Sequence, residues 1–397
     1  MKRISILLGC IVLVIVGIFA ITNQDQEQIL VEENTKNENT SLVFMLQEDD
    51  GTYSKSDSLP SNGYNFNATK SVCSNGATPT WEDNRLYLNN LTSNGTSCYL
   101  YFDIKPLAMN TILANSTVNE GTPDFSQVAT TDEGVWTAED DLGTSYYFRG
   151  AVENNYVKFA GYWWRIIRIN GDGSIRMIYD GTSAHANGES SSDRQTGTST
   201  YNSSYNQSYY VGYTYQTGSQ RPSTQNGGTA STIKGVLDSW YSTNITNQGL
   251  DDKVVSSPGF CNDRNTASGS NWVANGSTFY YVAYDRVYGS TQPTLQCSNT
   301  NDIYTTKVGL ITADEVRMAG GTISSNSSYY LYTGQTYWTV SSSYYNGYAR
   351  VFAVYSTGNP GDWGANDTIG VRPVLNLSAD VTISGGSGTM DNPYVVN

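Results

Sequence analysis

Histidine is almost missing from this chain: His185 is the single one among 397 residues. General bases near neutral pH are most often His, and zinc centres recruit several His or Cys, so a lone imidazole leaves no triad and no zinc site to assemble. His185 sits in GTSAHANGESSSD and is expected to be an exposed loop residue. Positive charge is scarce as well, with 22 Lys+Arg against 36 Asp+Glu and a net charge of -14. Such a surface repels phosphate backbones and anionic headgroups, which argues against nucleic acid and polybasic membrane docking as functions. Only 15% of residues are charged, so the polar surface has to be built from Ser, Thr, Asn, Gly and Tyr.

Metal motifs are equally thin. The NGDG run at 170–173 offers one carboxylate, too few for the oxygen shell that calcium demands. No pair of cysteines has the spacing of a redox or zinc motif. No catalytic residue, metal or cofactor is expected.

Long apolar runs occur once. Lys2 and Arg3 precede an uncharged stretch from Ile4 to Ile21, followed at once by Asn23, Gln24, Asp25, Gln26 and Glu27. Its length gives roughly 27 Å of helix, near the thickness of a bilayer's hydrocarbon core. Positive charge before the run predicts a single-pass helix with everything downstream outside the cell. Cleavage after Ala20 would make the chain secreted, but Ile18 suits the cleavage pattern poorly, which favours an uncleaved signal anchor within residues 1–23. Leu8-Gly9-Cys10 echoes a lipoprotein signal, yet the apolar stretch before Cys10 is too short.

Four cysteines lie beyond Cys10: Cys73, Cys98, Cys261 and Cys297. An even count in an exported chain reads as two disulfides. Three connectivities are open, of which the local one, Cys73–Cys98 with Cys261–Cys297, keeps each bridge inside one module.

Along the chain, residues 24–40 are polar and acidic and read as a stalk. Residues 41–106 read as a small all-β module: SLVFMLQEDDGTY and LTSNGTSCYLYFD look like strands, and Asn-Gly turns recur at 62–63, 75–76 and 94–95. From 107 to 397 lies the principal domain. Its most legible piece is YWWRIIRINGDGSIRMIY, two β-branched and aromatic runs around a turn, hence a hairpin. Ile233, Val236, Leu237, Trp240, Tyr241 and Ile245 recur at helical spacing, and Thr312-Ala313-Asp314-Glu315 has the capping-box pattern of a second helix. Residues 183–230 hold almost no aliphatics and are expected to form a long irregular loop with an aromatic face.

Tyrosine is what the sequence has in excess, at 31 residues. Tyr gives large contact area with few rotatable bonds, and with Asn, Ser and Gly it is the alphabet of binding loops. The predicted ligand contacts are Tyr205, Tyr209, Tyr210, Tyr213, Tyr344, Tyr345, Trp363 and Asn366.

The strings GTSYYFRGAV, WWRIIRINGDGSIR, FCNDR, VGLITADEVRMAGG, YWTVSSS, GVRPVLNL and GSGTMDNPY resemble an uncharacterised domain family of surface proteins from low-GC Gram-positive bacteria. The resemblance covers about 108–397 and extends loosely to the C-type-lectin-like and formylglycine-generating-enzyme-like architecture. It implies an α+β C-type-lectin-like domain whose long loops bind ligands. Functional residues do not carry over. GNPGDWGANDT lacks the triplets of calcium-dependent lectins, and Cys261 and Cys297 look structural rather than oxidase-like. Arg372, in GVRPVLNL, is expected to be buried against a carboxylate.

These observations point to a membrane-anchored extracellular binding or adhesion protein with a glycan or protein partner, and not to an enzyme. A purely structural cell-envelope component is the alternative. A cell-envelope glycan hydrolase built on carboxylates such as Glu139, Asp140 and Asp141 is the third reading, and a cleft with two facing carboxylates would favour it.

Overall fold

The computed structural model describes residues 19–20, 28–31, 40–48, 50–60, 63–82, 85–92 and 95–396. The chain divides into two compact units between Pro106 and Leu107.

The first unit is built on strand Thr96–Ile104, whose alternation sends Cys98, Leu100 and Phe102 inward and Ser97 and Tyr99 outward. Thr40–Gln47 runs parallel to it in the register Leu42↔Cys98 to Leu46↔Phe102. Phe44, Leu86, Leu88, Leu100 and Phe102 make the core. Trp81 packs edge-on against Phe102, ring centroids 5.6 Å apart. Cys73 and Cys98 are register partners on neighbouring strands and form a disulfide.

In the second unit the hairpin forms as its turn chemistry dictates. Tyr162–Ile169 and Ile175–Gly181 pair antiparallel, and Gly173 takes the left-handed conformation (φ +83°) that the turn needs. Both strands are buried on both faces over most of their length, because further strands flank them and other segments cover them. They sit within a nine-stranded sheet. A six-stranded sheet lies in the same unit: Thr198–Thr200, Thr368–Gly370, Tyr337–Tyr345, Ala349–Val354 and Pro360–Gly364 in that order, with Phe279–Tyr280 also paired to Tyr337–Tyr345. Cys261 and Cys297 form the second disulfide.

The expected α+β C-type-lectin-like architecture is not what forms. The protein is mostly β, 36% strand against 14% helix. Thr232–Asn244, Ala108–Ala114 and Ala313–Met318 are its longer helices. The helical signals were genuine but brief: Ala313–Met318 has its capping box, while Val236, assigned to the packed face of the longest helix, is 37% exposed. Glycine turns and β-branched or aromatic runs dominate the remaining chain, and those favour strands. The expected membrane helix at 4–21 lies outside the described residues apart from Phe19–Ala20, a short strand paired with Gln28–Val31. Among the described residues no helix is long and apolar enough to cross a membrane.

Residues 183–230 also differ from expectation. Short 3-10 turns and strands punctuate them, and Tyr201 and Tyr213 are fully buried. Hydroxyls of buried tyrosines need acceptors, and the Tyr213 hydroxyl donates to the Val308 carbonyl at 3.3 Å. His185 is likewise buried rather than exposed (4%), with Nδ1 2.7 Å from Glu189 Oε1 and Nε2 3.0 Å from Asp193 Oδ2.

Arginines act as internal clamps. Arg149 pairs with Glu133 and donates to the carbonyls of Arg317, Met318, Asp124 and Gln127. Arg372 pairs with buried Asp180 and donates to the carbonyls of Tyr179 and Leu331. A guanidinium carries five donors in a fixed fork, so one side chain can tie several loop carbonyls together.

Candidate ligand-binding surface

The sequence YYVAYDRVYG places Tyr280, Tyr284 and Tyr288 four residues apart. Val282–Tyr284 is helical and the turn continues to Gly289, which sets Tyr288 beside Tyr284, while Tyr280 ends the strand Phe279–Tyr280 just before that turn. Ring centroids are 4.4 Å apart for Tyr280 and Tyr284, and 4.7 Å for Tyr284 and Tyr288. Tyr280 is also the cross-strand partner of Tyr344, at 5.8 Å. Tyr280 is 37% exposed; Tyr284, Tyr288 and Tyr344 are half-buried.

Beside these rings lies an ion pair. Arg350 Nη1 is 3.3 Å from Asp362 Oδ2, with the two side chains 29% and 16% exposed. The Arg350 guanidinium lies over the Tyr344 ring, 5.4 Å from its centroid. Burial pushes the Asp362 carboxyl up, against the opposing pull of Arg350 and of the Tyr344 and Tyr288 hydroxyls. The surface therefore offers aromatic faces, several hydroxyls and a partly hydrated charge pair.

Of the predicted contacts, Tyr344 belongs to this group. Tyr213 and Tyr345 are fully buried, and the Tyr345 hydroxyl is spent on Asn206 O and Asn275 Oδ1. Tyr209 is buried and clusters with half-buried Tyr210 and with Tyr215 elsewhere in the unit. Tyr205 is half-buried and stacks on exposed Tyr348, centroids 5.0 Å apart and planes within 9°. Trp363 is half-buried edge-on to Tyr355, and Asn366 is exposed on a turn. The 280–288 row went unread although its spacing was visible. Arg350 and Asp362 gave no signal, because only strand pairing brings them together.

A second place merits chemical scrutiny. Asp140, Asp141, Asp263, Asp314 and Glu315 line a cavity of about 30 Å³ with Arg168, Arg176 and Arg286. That volume admits a water or two, not a sugar. Asp140 and Glu315 both bind Arg168, and Arg286 holds Asp263 and Asp314. Asp140 is buried against Arg168, whereas Glu139 and Asp141 are exposed, Asp141 on the turn at 141–142. Ser183, His185 and Glu189 resemble a hydrolytic triad in outline. Ser183 Oγ lies 3.4 Å from His185 Nε2, but Asp193 Oδ2 is nearer to both, 3.0 Å from Nε2 and accepting from the Ser183 hydroxyl at 3.1 Å, so a carboxylate competes for the nitrogen that would activate the serine. Among the described residues no cluster of His, Cys, Asp and Glu is arranged to hold a metal ion.

No family model, curated protein or solved structure matches the chain.

Proposed function

We propose that this is a membrane-anchored extracellular binding or adhesion protein whose ligand, a glycan or a protein, docks on the aromatic surface around Tyr280 and Tyr344. The observation that carries the reading is the row of partly exposed tyrosines beside the Arg350–Asp362 pair. Large rings left at a surface instead of in the core, next to polar groups that fix orientation, make a contact patch. The two disulfides support an oxidising exterior, where such bonds persist. The apolar run at 4–21 supports an anchor.

The test is retention of the labelled full chain on intact bacterial cells, cultured animal cells and immobilised matrix proteins. Saturable retention on at least one of them is expected. Absence of saturable retention on all would overturn the reading.

A further inference from the structure

Resting on that binding function, we infer that the ligand is a neutral oligosaccharide, its sugar rings stacking on Tyr280 and Tyr344 and its hydroxyls bonding to Arg350 and Asp362.

Charge narrows the choice first. The polar centre of the surface is one guanidinium against one carboxylate, a net charge of zero. The chain as a whole carries -14. Polyanions such as nucleic acids or sulfated glycans meet repulsion at long range and no uncompensated cation at contact. Organic cations are disfavoured for a different reason: the Arg350 guanidinium, lying over one side of the Tyr344 ring, repels a second positive charge there.

Shape and hydrogen bonding narrow it further. Tyr280 and Tyr344 are cross-strand neighbours with centroids 5.8 Å apart, Tyr280 the more exposed of the two and Tyr344 half-buried beside it. A pyranose likewise combines an apolar C–H face with a rim of hydroxyls, each both donor and acceptor. Arg350 supplies donors only and ionised Asp362 acceptors only, while the tyrosine hydroxyls supply both. Mixed donors and acceptors beside exposed ring faces fit a polyhydroxylated ligand better than an apolar peptide, which would leave them unpaired.

The experiment is calorimetric titration of the purified full chain with neutral gluco-, manno- and galacto-oligosaccharides. A sulfated oligosaccharide and choline serve as the charged probes. Saturable binding of at least one neutral series is expected, weakened tenfold or more by Tyr280→Ala and by Tyr344→Ala. Asp362→Asn should weaken it too, while Tyr344→Phe, which keeps the stacking face, stays within threefold of the parent. Tyr280 is partly exposed, so its alanine variant should keep the parent's melting temperature and separates binding from folding. Tighter binding of either charged probe, or no binding of any neutral series, overturns the inference. If the neutral series fail while cells still retain the chain in a Tyr344-dependent way, the ligand class falls and the binding function stands. If that retention is missing as well, both fall.

Discussion

Arg372 Nη2 lies 2.9 Å from Asp180 Oδ1, with both side chains fully buried and 192 residues apart in sequence. Arg194 Nη2 reaches the same oxygen at 2.7 Å. One carboxylate is thus shared by two buried guanidiniums, tying the strand Ile175–Gly181 to the segment after Thr368–Gly370 and to the turn Ser192–Arg194.

Removing that carboxylate leaves two cations without their counter-ion. Asp180→Asn should destabilise the protein by about 3–5 kcal/mol, the range for breaking a buried pair from one side. Denaturant midpoints of parent and variant measure it, and a change below about 1 kcal/mol would show that the pair is dispensable.

The tyrosines fall into two classes that mutagenesis can tell apart. Tyr213→Ala empties a fully buried site and should cost about 3–5 kcal/mol, as large aromatic truncations in cores do. Tyr280→Ala, at a partly exposed site, should cost under about 1 kcal/mol. Equal melting temperatures for the two variants would refute the division.

Acid should loosen the segment around His185. The hydrogen bond from His185 holds Glu189 below the usual carboxylate range. Burial pushes Asp193 up, but hydrogen bonds from His185, Thr182 and Ser183 outweigh it and bring its pKa to about 2. Carboxyls depressed in the folded state stabilise it above their unfolded values, and that contribution fades as pH falls through the folded ones. Stability should therefore decline between about pH 5 and 2, and less steeply in Asp193→Asn than in the parent. Parallel slopes in denaturation series across that range would contradict this.

Each disulfide closes a loop, with sequence separations of 25 for Cys73–Cys98 and 36 for Cys261–Cys297. Chain entropy gives about 3–4 kcal/mol for each. Replacing Cys261 and Cys297 together by Ala should lower the unfolding free energy by about that amount, whereas an unchanged denaturation midpoint would show that the bridge adds nothing.

What could be read from sequence follows from how local its cause is. The 162–181 hairpin was legible because its turn and both strands are contiguous, and the helix Ala313–Met318 because Thr312 and Glu315 cap it from within. The local disulfide pairing was one of three open possibilities. The interior of 183–230 was illegible because polar composition suggests solvent, yet Tyr201 and Tyr213 pack in the core, with the Tyr213 hydroxyl bonding to a carbonyl 95 residues away. His185 was misplaced although Glu189 stood four residues on, a spacing that can satisfy an imidazole inside one turn of chain. At the candidate surface Tyr344 was legible by composition, whereas Arg350 and Asp362 needed the pairing of Ala349–Val354 with Pro360–Gly364.

The most direct test compares the parent with the Tyr280→Ala/Tyr344→Ala double variant, as binding isotherms on whichever surface retains the full chain. The tyrosine row as docking site predicts at least tenfold weaker binding, with a circular dichroism spectrum matching the parent's. Equal affinity in the two proteins would place the contact elsewhere and contradict it.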